Sequence, residues 1–328
     1  MDRNDMELLD RCIFRAPDRD EALRLFRSAS ADPEVREQLY QAARLVRKAE
    51  TGDRFRITGG ISGVLSCELR PLCLYCPYWR EAGKTPQSTQ EIVDTARHYQ
   101  ELGIDEFHLS GGTTLGSRGE DIYQIVKAIY DAGLRGLRIT VNCGAAMSVD
   151  TMRALKEMGV YKVGAVFEIA EPEQFKRLKP GDDLALKTDF AWKIREAGLV
   201  MHSGIMAGLG PRESRFEDYV TSIFFMKQFP HLAGLYISKF RPMATTPMRD
   251  HPPCSQEEAC ILVAVTRLVL RRAEIRLAFG WSGEESEQGY QAGAGNELCA
   301  LMMNGKGQPI HDRRDELRQL AARIGVLL

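Results

Sequence analysis

The chain has 328 residues, of which 44% are hydrophobic and 27% charged, and a formal net charge of -1 at pH 7. That length suits one α/β barrel with extensions; the near-neutral balance sets up no global field toward nucleic acid or a membrane surface, and no run of about 18 apolar residues offers a spanning helix. Eight cysteines in a chain that starts without a signal peptide point to a reducing cytoplasm, where disulfides do not persist.

Residues 1–50 read as helices, 34–49 most clearly, and predict an extension that covers one end of a barrel domain formed by 51–328. From there short β-rich runs alternate with amphipathic helical ones. Strands are predicted over 55–58, 106–109, 137–141, 162–167, 200–205, 234–238, 275–278 and 297–301. Helices are predicted over 89–102, 120–132, 149–158, 185–197, 214–228, 256–271 and 285–292, with a helical tail over 312–328. Eight strands separated by helices run parallel, and right-handed crossovers close them into an α/β fold of (β/α)8 TIM barrel type. Catalytic groups then belong at the C-terminal ends of the strands.

The loop after the first strand reads Ser66-Cys67-Glu68-Leu69-Arg70-Pro71-Leu72-Cys73-Leu74-Tyr75-Cys76-Pro77-Tyr78-Trp79. Three closely spaced thiolates can each bind one iron of a cubane cluster and leave the fourth iron open to a small molecule. A zinc site takes four ligands, often as two pairs, and no second Cys or His pair lies nearby at that spacing. Disulfides would need an oxidising compartment, and unrelated core cysteines sit badly in a loop that also holds Glu68 and Arg70.

The ends of later strands carry further candidates. Ser110-Gly111-Gly112 follows the second strand; adjacent glycines let backbone approach a ligand closely, or form a plain turn. Asn142 and Cys143 follow the third, Cys143 reading as a structural thiol. Glu168 follows the fourth, and Lys187 lies further on, where a solvated helix lysine is the alternative. The fifth runs Met201-His202-Ser203-Gly204-Ile205-Met206-Ala207-Gly208-Leu209-Gly210, apolar and backbone-exposing as an adenine site is. His108, Thr140, His202 and Arg276 lie within strands and point inward; a strand histidine is often only a core residue, whereas a buried guanidinium needs an anionic partner such as a substrate carboxylate.

With an aromatic residue before its last cysteine, the C-x5-C-x2-C run resembles the radical S-adenosylmethionine (SAM) enzymes, whose commonest spacing is C-x3-C-x2-C. The longer first gap, followed by Pro77, Tyr78 and Trp79, is similar to the HmdB (HcgA) proteins of iron-guanylylpyridinol cofactor assembly. From about 39 to 303 the chain resembles the biotin synthase, HydE, PylB and ThiH group. The resemblance implies a 4Fe-4S cluster on Cys67, Cys73 and Cys76. It implies SAM contacts from Tyr75 beside the adenine, Ser110, Gly111 and Gly112 at the methionyl amino group, Asn142, Glu168, Lys187, Ile205 and Met206. Biotin synthase holds a second cluster with cysteines where this chain has His108, Thr140 and His202, and with an arginine that Arg276 retains. Sulfur insertion is thereby disfavoured, and these four residues are expected to face a small-molecule substrate. The implied activity is reductive cleavage of SAM, by an electron from a reduced ferredoxin or flavodoxin-like donor, to a 5'-deoxyadenosyl radical that abstracts hydrogen. HydE-like or PylB-like chemistry on another small substrate, a non-catalytic iron-sulfur scaffold and a zinc-dependent barrel hydrolase remain open.

Overall fold

The computed structural model describes residues 3–80, 83–303 and 309–328. Three helices open the chain: α1 (Arg3–Phe14), α2 (Arg19–Ala31) and α3 (Pro33–Thr51). The Asp18 side chain caps α2 in a reciprocal box with Glu21, and Asp32 caps α3 with Pro33 at its first position, so both starts are written locally.

A regular alternation follows: β1 (Arg56–Ser62), α4 (Thr89–Glu101), β2 (Glu106–Ser110), α5 (Glu120–Asp131), β3 (Arg138–Asn142), α6 (Val149–Glu157) and β4 (Val160–Gly164). It continues with α7 (Pro172–Leu178), α8 (Leu184–Glu196), β5 (Val200–Ala207), α9 (Arg215–Lys227), β6 (Leu232–Lys239), α10 (Gln256–Val269), β7 (Glu274–Leu277), α11 (Gly283–Gln291) and β8 (Glu297–Met303). A ninth strand, β9 (Pro309–Asp312), and α12 (Arg314–Ile324) close the chain. The sequence pattern missed α7 and β9.

The strands form one sheet in the order β7-β6-β5-β4-β3-β2-β1-β8-β9. β1 to β8 run parallel in barrel order and β9 pairs antiparallel with β8. The expected (β/α)8 TIM barrel is corrected in one respect: β7 and β8 share no ladder, only a single antiparallel bridge between Ile275 and Gly295. Asn296, at a φ of 79°, turns the chain just before β8, so the residues that would meet β7 approach it in the wrong direction for a parallel pair. The sheet is a curled, open barrel.

Its curl is visible in a layer of charge at the N-terminal strand ends. Lys162 of β4 lies 2.8 Å from Glu274 of β7, 3.5 Å from Glu297 of β8 and 3.9 Å from Glu106 of β2. Arg56 reaches Glu106 at 3.1 Å and also pairs with Glu274, while Arg276 pairs with Glu297. With Arg138, 3.2 Å from Glu106, four cations face three carboxylates, and such pairing is the condition for burying any of them.

At that same end, Arg47 of α3 donates to the carbonyls of Tyr290 and Ala294 at 3.2 Å, and Arg271 donates to those of Cys12 at 2.9 Å and Ile13 at 2.8 Å. The N-terminal helices therefore sit against the segments that enter β7 and β8, away from the loop that leaves β1. No helix among the described residues is long and apolar enough to cross a membrane.

Candidate active site

The cysteine loop leaves β1 and runs beside the loop after β2. Val64 N donates to Ser110 O at 3.0 Å, Gly112 N to Leu65 O at 2.8 Å and Glu68 N to Thr113 O at 2.9 Å. A Cβ on Gly112 would stand 2.3 Å from both Cys67 Cα and Cys67 N; only glycine allows so close an approach. On the opposite side Leu74 N donates to Leu178 O at 2.8 Å, and a Cβ on Gly181 would fall 2.2 Å from Pro71 O. Arg80, which the sequence pattern did not single out, donates to the carbonyls of Cys76, at 2.6 Å, and Cys73, and Arg70 donates to that of Cys67 at 3.1 Å. Loop and neighbours form one clamped unit.

Cys67, Cys73 and Cys76 are free thiols of intermediate exposure, as Cys299 is; Cys12, Cys143, Cys254 and Cys260 are free and buried. Burial pushes the Cys73 thiol up to about 12 and that of Cys76 upward as well, so each holds its proton until a metal displaces it. Among the described residues no three His, Cys, Asp or Glu side chains converge around a single metal ion. The Cys143 thiol is held beneath Gly111, its Sγ 3.0 Å from where a Cβ there would stand, and points to Leu109 O at 3.6 Å.

The predicted fourth strand ends three residues early, for a reason that places Glu168. Ala165 N donates to His202 O at 2.9 Å and Glu168 N to Gly204 O at 2.9 Å: three steps along one chain match two along the other. This one-residue bulge re-aims the side chain that follows it. Glu168 takes a φ of 63°, rare for a residue with a Cβ. Met206 N donates to Glu168 O at 3.0 Å, and Ile205 forms the matching bridge. The Tyr75 hydroxyl donates to the Glu168 carboxylate. Burial raises the Glu168 pKa, with Lys179 and Lys187 pulling the other way.

Two lysines and an aspartate complete this wall. Lys187, only 3% exposed, is a buried ion-pair partner and not the solvated lysine that was its alternative. It lies 3.0 Å from Asp182, and Lys179 lies 3.1 Å from the same carboxylate and 3.9 Å from Glu168. Lys179 also donates to Phe167 O at 3.3 Å and Val166 O at 3.4 Å, the carbonyls that the bulge removes from the ladder. Burial opposes the charge of both lysines; at Lys179 it is outweighed by Asp182, Cys73 and Glu168 together, and the pKa rises, while that of Lys187, which also faces Lys179, falls; the two ammonium groups bring Asp182 down to about 2 against its own burial. Lys179 and Asp182 escaped the sequence reading because Lys179-Pro180-Gly181-Asp182 has the composition of a surface turn.

Inside the sheet, His108 pairs in register with Thr140. Asn142 Nδ2 lies 3.4 Å from both Ser110 Oγ and Tyr236 Oη, and the His202 ring lies 5.1 Å from that of Tyr236. A Cβ on Gly204 would meet the Tyr236 ring at 2.5 Å, and one on Gly60 the His108 ring at 2.3 Å, so glycines make room for both rings. Burial, with Arg276 beside them, keeps both imidazoles neutral, His108 down to about 3 and His202 well below the usual range. Neither ring nitrogen of His202 and not Nδ1 of His108 has a hydrogen-bond partner among the described residues. The anionic partner expected for Arg276 is supplied within the chain by Glu297.

This donor set fits the implied cofactors. Three free thiols on one clamped loop suit three corners of a 4Fe-4S cluster. Beside them, a carboxylate and an ammonium 3.9 Å apart are complementary to the ammonium and carboxylate of an amino acid such as the methionyl end of SAM.

Residues 61–223 match the Radical SAM superfamily. An uncharacterised protein of Methanocaldococcus jannaschii is 26% identical, over 94% of this chain and 83% of its own length. Biotin synthase of Histophilus somni is 25% identical over 76% of each. The crystal structure of methylornithine synthase, PylB, shares the fold at a TM-score of 0.80 and 20% identity, covering 98% of this chain and 96% of that one. The chain is accordingly a radical SAM enzyme, with a 4Fe-4S cluster and SAM as its cofactors; its sequence is related to that of biotin synthase and its fold is shared with PylB.

Proposed function

We propose that Cys67, Cys73 and Cys76 hold the cluster and that the wall beside them holds SAM, in an enzyme that acts on a small molecule during cofactor biosynthesis. When bound, the cluster and SAM supply one-electron reductive cleavage of SAM and, from it, the 5'-deoxyadenosyl group that abstracts hydrogen. The chain's own residues bind, orient and exclude water. Gly111 and Gly112 present backbone to the methionyl amino group, Glu168 and Lys187 flank the headgroup, Tyr75, Ile205 and Met206 line the adenosine side, and Ser110 and Asn142 close the edge toward the interior. His108, Thr140 and His202 face the substrate, and Arg276, its charge met by Glu297, lies beside the two histidines at the inner end of that space.

The observation that carries this reading is the convergence of three otherwise unrelated segments on the cysteine loop: Gly112 packed against Cys67, Glu168 bonded by Tyr75, and Leu178 bonded by Leu74. A turn-forming Gly-Gly and a surface loop have no reason to be tied together in this way. Residues 1–50 serve as an extension to a catalytic unit formed by 51–328, and the electron comes from a reduced ferredoxin or flavodoxin-like protein.

The finer assignment is an HmdB-like step in building the iron-guanylylpyridinol cofactor of Fe-hydrogenase. The five-residue gap between Cys67 and Cys73, followed by Pro77-Tyr78-Trp79, supports it. The placement of His108, Thr140 and His202 where a sulfur-donating cluster would need thiols supports it as well, by removing sulfur insertion.

The test is anaerobic reconstitution with iron and sulfide, then dithionite and SAM, with chromatographic detection of 5'-deoxyadenosine. Formation well above that of Cys73→Ala is expected, with pyridinol precursors as the first substrates to screen. A cluster-bearing protein that yields none would point to a scaffold, and a colourless zinc protein would overturn the proposal outright.

A further inference from the structure

The cation that the sequence pattern assigns to the cofactor is Lys187, yet it is Lys179 whose chain neighbours are bonded to and packed on the cysteine loop. Leu178, its neighbour, accepts from Leu74 N at 2.8 Å, between Cys73 and Cys76. Gly181, two residues on, packs against Pro71, and Glu168, 3.9 Å from the Lys179 ammonium, is bonded by Tyr75. The segment 178–181 thus lies along the cysteine loop with a 3% exposed ammonium in it. Lys187 shares Asp182 with Lys179, the carboxylate lying 3.0 Å from Lys187 and 3.1 Å from Lys179.

We propose that Lys179 is a positioning residue for the cluster's electron, a buried positive charge that stabilises the reduced state, and that Asp182 sets how much of that charge the cysteine loop feels. The proposal rests on the radical SAM reading above and adds to it a residue and a sign. A cluster becomes more negative on reduction, so a fixed cation in a water-poor wall favours the reduced form and a fixed anion disfavours it. Within one buried cluster the two residues must therefore act in opposite directions.

The experiment is an EPR-monitored redox titration of the reconstituted full chain, with iron content measured alongside, for the unaltered protein and for Lys179→Met, Lys179→Arg and Asp182→Asn. Lys179→Met is expected to move the midpoint potential to more negative values, Asp182→Asn to more positive values, and Lys179→Arg to leave it nearly unchanged. A purely structural role would not produce opposite signs at equal iron loading. Shifts of the same sign, or none, in chains that carry a full cluster and cleave SAM would overturn this proposal alone. If Lys179→Met fails to load iron, Asp182→Asn decides by itself, and an unshifted or more negative potential there overturns the idea. An unaltered protein that holds no cluster would overturn it together with the radical SAM function.

Discussion

The Tyr75 hydroxyl donates to the Glu168 carboxylate, joining the residue before Cys76 to the left-handed residue of the β4 bulge. A non-glycine residue at a φ of 63° costs on the order of 1 kcal/mol or more and persists where its surroundings over-determine it. Here the two flanking backbone bonds to β5 and the tyrosine do so. Glu168→Gln keeps size and backbone demands while removing the charge. The expected outcome is full iron loading with SAM affinity lowered about tenfold or more, since a charge-assisted hydrogen bond contributes about 1.5–3 kcal/mol. Calorimetric titration of the reconstituted protein with SAM reads this directly; affinity within twofold of the unaltered chain would remove Glu168 from the cofactor wall.

Gly112 makes a prediction independent of SAM. A methyl group there would fall 2.3 Å from backbone atoms of Cys67, and no flexible side chain end can swing aside to relieve it. Gly112→Ala should therefore displace the first cysteine and reduce iron per chain on reconstitution to less than half. Circular dichroism should show unchanged secondary structure. Normal iron content would mean that the two loops part at little cost and that the glycine pair serves the ligand alone.

The features legible in the sequence were those with local signatures. The spacing of Cys67, Cys73 and Cys76 and the apolar runs of the central strands needed no tertiary knowledge, and Glu168 and Lys187 were singled out by their offset from a known pattern. What stayed hidden depended on distant pairing. The bulge that aims Glu168 arises from register against β5, and Asp182 and Lys179 are buried only because the turn containing them folds back onto the cysteine loop. Glu297 begins a strand and so reads as an exposed edge residue until Arg276 and Lys162 are brought to it from β7 and β4. The missing β7–β8 ladder follows from the turn at Asn296, whose left-handed backbone nothing in the strand pattern announces.

The Arg276–Glu297 pair is 6% and 4% exposed and should show the asymmetry of buried ion pairs. Removing one partner leaves an uncompensated charge, at a cost of about 3–5 kcal/mol, whereas replacing both by apolar groups can be nearly neutral. Lys162, 3.5 Å from Glu297, remains as a second partner, so Arg276→Met should cost about 3 kcal/mol, the lower end. Arg276→Met with Glu297→Met should recover part of that loss, the rest reflecting the charge then left on Lys162. Urea unfolding of both single variants and the double variant closes the cycle; additive losses would mean that the two side chains do not act as a pair.

Asp218 carries a pH dependence of known sign. It is 4% exposed on α9, its carboxylate lies 2.4 Å from where a Cβ on Gly210 would stand, and burial, followed by the nearby charge of Glu171, pushes it up to about 6. The folded chain then binds this proton more tightly than the unfolded chain, whose aspartate titrates near 4. The stabilisation is complete below pH 4 and is lost as pH rises through 6, because above the unfolded value the folded state must keep a proton or bury a charge. Asp218→Asn abolishes that dependence. Relative to the unaltered chain it should gain about 1.4 kcal/mol between pH 5 and pH 8, the equivalent of the one pKa unit still to be crossed. Urea denaturation of both chains at the two pH values measures the difference, and a constant offset would mean that Asp218 titrates in the folded protein much as it does in the unfolded one.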